Sequence, residues 1–335
     1  MDGNSANRIG IVGAGAWGTA LATVAARAGC DVMLWSREPD VADDINDRHE
    51  NARFLPGVRL GAAIRATADI EAATNARTVL LAVPAQHLRT VLAEAAGSWR
   101  HDTCAVICAK GIETESGALM SAVVAEALPA APVAVLSGPS FAAEVARDLP
   151  TAVTLASADA GVRTAVPRAL GTPHFRIYSS SDVVGVEIGG AVKNVLAIAA
   201  GIVSGRGLGE NARAALITRG LTEMARLAAA HGADPVTLMG LSGLGDLILT
   251  ASATQSRNFS LGVALGRGEA LMDILAARNG VTEGVTTAPS VAGLARRRGV
   301  DMPICFAVDA VLHRGADIDA TIAALLSRPL TTEEL

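Results

Sequence analysis

The first third of the chain alternates short β-branched runs with alanine-rich stretches. The run "RIGIVGAG" leads into "AWGTALATVAARAG", whose apolar residues recur at helical spacing, and then into "CDVMLWSR". Runs of strand length return at "TVLLAVP", "TCAVICAK" and "VAVLSGP", with a last pair at "TAVTLAS" and "FRIYSS". Strands alternating with helices predict right-handed crossovers and a doubly wound, mostly parallel sheet, the α/β class. Pro84 and Pro139 each follow a strand at its C-terminal edge, where such sheets gather their ligands.

Beyond Gly189 the pattern changes. Long Ala/Leu-rich segments such as "ARAALITRGLTEMARLAAAHG" are separated by glycine breaks, and no strand-like alternation returns, so an all-helical second half is expected. At 335 residues the chain exceeds the length at which one core usually stops growing. The division predicted is residues 1–188 for the sheet domain and 189–335 for the helical one. The apolar run Val195–Val203 is too short to span a bilayer.

Composition narrows the class of function. Half the residues are hydrophobic but only 3% are aromatic, so the core is aliphatic and suits close helix packing. A net charge of −5 and the lack of a long basic block argue against nucleic acid. Cys30, Cys104, Cys108 and Cys305 show neither disulfide nor metal-ligand spacing, so no metal is expected. Cys104 and Cys108 fall on one strand face as small buried groups. The polar start "MDGNSANRIG" has neither the basic beginning nor the apolar run of a signal peptide. These features together imply a cytoplasmic protein without integral membrane association. The many Ala/Leu faces of the helical half suggest a homodimer formed through it.

"GAGAWG" supplies Gly13, Gly15 and Gly18 between a strand and a helix. Gly13 suits the tight turn, Gly15 lets backbone approach a diphosphate, and Gly18 lets helix and strand pack closely. The diphosphate would rest on the helix N-terminus beside Ala16 and Trp17. At the end of the second strand stands Arg37, where an NAD-specific domain usually has an acidic residue. Arg37 can meet a 2′-phosphate, which favours NADP over NAD, although Glu38 keeps both open.

Only two of the 28 basic residues are lysines, Lys110 and Lys193. Arginine keeps its proton at any ordinary pH, whereas a lysine among apolar neighbours can lose one and act as a base. Lys193 stands in "GGAVKNVLAIAAGIVSG", where a snorkelling stem is the alternative reading.

"GAGAWGTALA", "CAKGIE", "SGPSFAAE", "GGAVKNVLAI", "GLSGLGDLILT" and "QSRN" together resemble the NAD(P)-dependent glycerol-3-phosphate dehydrogenase family, from about residue 8 to about residue 328. The resemblance implies a Rossmann-type domain followed by a helical substrate domain. It also implies interconversion of sn-glycerol 3-phosphate and dihydroxyacetone phosphate, which supplies glycerol backbones for phospholipids. By the same resemblance Lys193 is the catalytic base. Substrate would be held by Lys110, Gly138, Ser140, Lys193, Asn194, Asp246, Ser256, Arg257 and Asn258. Cofactor contacts would add Lys110, Ala142, Arg257, Val281 and Glu283 to the glycine-rich turn. Asp246 could orient Lys193 or simply form a turn after Gly245. The chain departs from the family at Ala16, commonly serine, and Ala251, often cysteine. Two other functions stay in view: a related 3-hydroxyacid or 6-phosphogluconate-type dehydrogenase, and a silent nucleotide-binding regulator.

Overall fold

A computed structural model describes residues 7–278 and 281–329. The first six residues, part of the polar start discussed above, lie outside the described residues, as do the last six of the predicted helical domain. The chain forms two compact units, Met1–Ala109 with Met120–Val183, and Lys110–Leu119 with Val184–Leu335.

The strands of the first unit are β1 (Arg8–Val12), β2 (Asp31–Trp35), β3 (Glu50–Asn51), β4 (Leu55–Arg59), β5 (Ile64–Thr67), β6 (Thr78–Leu81), β7 (Cys104–Ile107), β8 (Val133–Ser137), β9 (Thr151–Ala156) and β10 (Phe175–Ser180). Eight of them make one sheet in the order β10-β9-β8-β7-β6-β1-β2-β5, and β3 and β4 form a separate hairpin. All neighbours in the large sheet run parallel except β8 and β9. Ile9 of β1 stands opposite Val32 on one side and Thr78 on the other. The chain thus leaves β1 in one direction and later returns to its other flank, so the C-terminal end of β1 is a topological switch point where an open sheet forms its ligand crevice. β5 and the hairpin are additions to the expected strands; "IRAT" alternates too briefly to stand out in sequence.

The second unit is helical among its described residues apart from one isolated bridge, Ile112 with Leu119. Its centre is the helix Val183–Gly205, buried on all sides from Gly185 to Val203. This corrects the expectation of a short apolar run. The helix has 23 residues and is long and apolar enough to cross a membrane, yet its most apolar window is entirely buried. Neighbouring helices pack on it through glycines. Built Cβ atoms at Gly201 and Gly262 would each overlap backbone of the other's helix, so the Arg257–Gly266 helix approaches almost to backbone contact.

The division differs from the expected 188/189 boundary in two respects. That boundary would cut the Val183–Gly205 helix, which runs unbroken through it. In addition, Lys110–Leu119 packs with the helical unit, because Ile112 is fully buried in the helical core. The excursion closes on itself through Glu113 N–H to the Ala118 carbonyl at 2.9 Å and Gly117 N–H to the Glu113 carbonyl at 2.8 Å.

Candidate active site

In the first unit the glycine-rich turn adopts the form its sequence suggests. Gly13 has φ +113°, which disfavours any side chain, and a Cβ on Gly18 would collide with the Gly13 carbonyl oxygen. A Cβ on Gly15 would meet nothing. Gly15 precedes the helix Ala16–Arg27, whose N-terminus has neither a side-chain cap nor an acidic residue in its first turn. Its free amides and partial positive charge therefore suit an anion. Asn51, not anticipated from sequence, stiffens the turn by donating to the Ala14 carbonyl and to Thr19 Oγ1, both at 2.8 Å. The indole N–H of Trp17 is buried and without a partner among the described residues. Arg37 is 74% exposed and, among the described residues, ion-paired only with Glu38, at 3.0 Å. Gly138 follows β8 with φ +151°, Ser140 Oγ donates to the Gly138 carbonyl at 2.9 Å, and Ala142 opens the short helix Ala142–Ala146.

In the second unit the two lysines converge on one carboxylate. Lys193 Nζ donates to Asp246 Oδ1 at 2.7 Å and to Thr250 Oγ1 at 2.8 Å. Lys110 Nζ donates to Asp246 Oδ2 at 2.6 Å. Thr250 Oγ1 lies 3.2 Å from Asp246 Oδ1. Asp246 is 1% exposed and Lys193 7%. Asp246 is therefore no turn residue: it opens the helix Asp246–Ser252 directly after one π-helical turn, Leu241–Gly245. Such turns are rare and often mark functional sites. Gly189, one turn before Lys193, admits that segment: a Cβ there would meet the Ser242 carbonyl oxygen at 2.6 Å.

Burial sets the electrostatics. It lowers the Lys193 ammonium to about 8, with Lys110 adding to the shift and Asp246 opposing it. Val192, Val195 and Leu196 around it are fully buried. For Asp246 burial pulls upward, but the two ammoniums outweigh it and hold the carboxyl below its ordinary value. Snorkelling is excluded for Lys193, whose amine stays inside.

A second polar chain runs beside this cluster. Asn258 Nδ2 donates to Asn194 Oδ1 at 2.9 Å, and Gly284 N–H donates to Asn258 Oδ1 at 3.0 Å. The Ser256 hydroxyl caps the Arg257–Gly266 helix by accepting from Phe259 N–H at 3.2 Å. Glu283, half-buried, opens the helix Glu283–Arg298. Burial raises its carboxyl above the ordinary value, against the attraction of Arg257, Lys193 and Lys110. Val281 is exposed. Lys110, Lys193, Asn194, Asp246, Ser256, Arg257, Asn258, Val281 and Glu283 thus belong to the helical unit, whereas Gly13 to Gly18, Arg37, Gly138, Ser140 and Ala142 belong to the sheet unit. Thr250 escaped the sequence reading; its only signal was its place four residues after Asp246, on the same helical face.

Known proteins resemble the chain across both halves. The family model for the NAD-dependent glycerol-3-phosphate dehydrogenase N-terminus matches residues 8–162, and that for the C-terminus matches residues 182–323. The chain is 58% identical over 328 residues to the NAD(P)+ glycerol-3-phosphate dehydrogenase of Rhodospirillum rubrum, covering 98% of this chain and 94% of that one. It is 55% identical over 326 residues to the corresponding enzyme of Caulobacter vibrioides, covering 97% and 98%. The crystal structure of glycerol-3-phosphate dehydrogenase from Coxiella burnetii superposes with a TM-score of 0.93 at 41% identity, covering 96% of this chain and 99% of that one. With matches across both halves, a glycine-rich nucleotide turn in one and a buried lysine–carboxylate cluster in the other, the chain belongs to the NAD-dependent glycerol-3-phosphate dehydrogenase family.

Proposed function

We propose that this chain interconverts sn-glycerol 3-phosphate and dihydroxyacetone phosphate with NAD(P), Lys193 moving the hydroxyl proton. The observation that carries the role of Lys193 is its amine, buried yet held 2.7 Å from Asp246. An unperturbed lysine, with a pKa of roughly 10.4, would be neutral in fewer than about one molecule in a thousand at pH 7. Lowered to about 8, Lys193 is neutral in roughly one molecule in ten, by the same relation. In oxidation the neutral amine takes the proton of the C2 hydroxyl. In reduction the ammonium returns it to the carbonyl oxygen.

The glycine-rich turn fits a dinucleotide, since the space beyond Gly15 is open and the uncapped helix start offers its amides. Gly13, Gly15, Ala16, Trp17, Gly18, Arg37 and Ala142 would hold it in the sheet unit, and Lys110, Arg257, Val281 and Glu283 would contact it from the helical one. When bound, it accepts hydride in oxidation and donates it in reduction. Arg37, paired with nothing but Glu38 among the described residues, favours the 2′-phosphate of NADP.

The remaining residues orient and charge the site. Asp246 holds both ammoniums, and Thr250 fixes the second direction of the Lys193 amine. Burial, with the charge of Lys110 adding to it, keeps the Lys193 pKa low. Arg257, with Ser256, Asn258 and Asn194, anchors the phosphate, while Gly138 and Ser140 contact substrate from the sheet unit. Binding energy gathered at the phosphate then holds C2 for reaction. The same reading makes the protein a cytoplasmic homodimer joined through its helical half.

Purified protein should consume NADPH when dihydroxyacetone phosphate is added, read as loss of reduced-nicotinamide absorbance; no consumption refutes the reaction. At saturation, glycerol should be oxidised at least roughly 100-fold more slowly than glycerol 3-phosphate, because it forgoes the remote anchor. Equal maximal rates would remove the anchoring role.

A further inference from the structure

We propose that Arg278 is a positioning residue for the phosphate anchor, holding Arg257 through its backbone and adding a second positive charge beside it. This rests on the reading of Arg257 as the phosphate ligand.

Arg257 is the first residue of its helix, with Ser256 as N-cap. Its carbonyl accepts a long hydrogen bond from Ser260 Oγ of the same helix, at 3.3 Å. It also accepts a much shorter one from Arg278 Nη1 at 2.7 Å, across 21 residues of sequence that include the helix Leu271–Ala276. A guanidinium donor makes this a charge-assisted bond, stronger than a neutral one. It ties the end of one segment to the first turn of the helix whose start presents Ser256 and Arg257.

The charges point the same way. Among the described residues neither guanidinium has a carboxylate within ion-pair distance, and the Arg257 side chain makes no hydrogen bond. Burial, with Arg257's charge adding to it and Glu269 opposing, lowers Arg278 below the ordinary arginine value. Glu283 also feels Arg257 but forms no ion pair with it. The two like charges therefore repel, while Glu269 attracts one and Glu283 the other without closing an ion pair. A phosphate dianion relieves that repulsion, and only a phosphorylated substrate or cofactor brings one. The unphosphorylated alcohol has nothing for the pair to recognise.

The experiment compares Arg278→Ala, Arg278→Lys and Arg257→Ala, each assayed with dihydroxyacetone phosphate and with dihydroxyacetone. Arg278→Ala should raise KM for the phosphorylated substrate about tenfold with kcat within about twofold, the scale of one charge-assisted bond. Arg278→Lys keeps a cationic donor and should recover about half of that loss on a logarithmic scale. For dihydroxyacetone, kcat/KM should stay within about twofold of the parent in both variants. A KM unchanged in Arg278→Ala, while Arg257→Ala raises it strongly, overturns the role of Arg278 alone. An unchanged KM in Arg257→Ala overturns the anchor reading itself. Equal losses with both substrates, or no recovery in Arg278→Lys, would mark Arg278 as a general structural tie and also overturn the proposal. Should Arg278→Ala fail to fold, the substrate dependence of Arg278→Lys decides alone: a KM rise confined to the phosphorylated substrate supports the role, and any other pattern rejects it.

Discussion

Of the carboxylates that the helical unit buries, Asp246 at 1% exposure and Glu223 at 3% are treated in opposite ways. Asp246 faces two ammoniums and is held below its ordinary pKa. Glu223 faces backbone amides instead. It accepts from Ile304 N–H at 2.7 Å and Cys305 N–H at 3.1 Å, in the first turn of the helix Pro303–His313, where Pro303 has no N–H to offer. Burial raises Glu223 to about 7, with those two amides opposing the shift. Neutral donors soften the desolvation of a charge, whereas opposite full charges reverse its effect. The same burial thus makes a permanent anion at one site, able to orient a base, and a helix tie at the other.

Arg substituted for Lys193 should break the comparison most severely. Lys193→Arg keeps the charge beside Asp246 but cannot release a proton, so turnover should fall by at least about 10³-fold with the fold and NADPH binding retained. Near-normal turnover would remove Lys193 from the chemistry.

Asp246→Asn comes next. It leaves two ammoniums without their anion, so turnover should drop by about 100-fold and the thermal midpoint should fall. The pH profile carries the sharper readout. In the parent, oxidation should rise as pH climbs through about 8 while reduction falls, since the two directions need the neutral and the protonated amine. Asp246 holds the Lys193 value up. Removing its charge should move the midpoint to lower pH, and a midpoint that stays or rises contradicts the assigned geometry.

The smallest effect on activity belongs to Glu223→Gln, expected within about twofold of the parent because Glu223 touches no reacting group. Its signature is in stability. The folded pKa of about 7 lies above the ordinary 4.5, so the folded state holds more protons between those values and loses stability as pH rises through them. The variant has no such loss. Relative to the parent it should gain a few kcal/mol at most from pH 4.5 to 7, read as a widening difference in thermal midpoint. A difference independent of pH would show that Glu223 is not strained by its burial.

These two carboxylates also show how far sequence reading reaches. The turn Gly13–Gly18 was legible because each glycine answers a local demand, a positive φ or a close backbone approach. Lys110 and Lys193 stood out because every other basic residue is arginine. Asp246 was ambiguous, since "GLGDL" suits a turn as well as a charged site, and only its two ammonium partners, 53 and 136 residues away, resolve it. Glu223 gave no signal at all: in "GLTEMARL" it reads as a solvated helical glutamate, and its partners are amides about 80 residues on.

What the chain alone determined are the features set by neighbours in sequence: the strand–turn–helix start, the parallel alternation of the first half, the helical second half, and the identity of the residues able to do proton chemistry. Tertiary structure decided the rest. It turned β9 against β8, carried Lys110–Leu119 into the helical unit, extended the central helix across the expected boundary, and gathered two lysines, a threonine and an aspartate around one buried point. Backbone preference and hydrophobic period act over a few residues. Desolvation and Coulomb energy depend on which distant groups share a dry space, and that is settled only when the chain is packed.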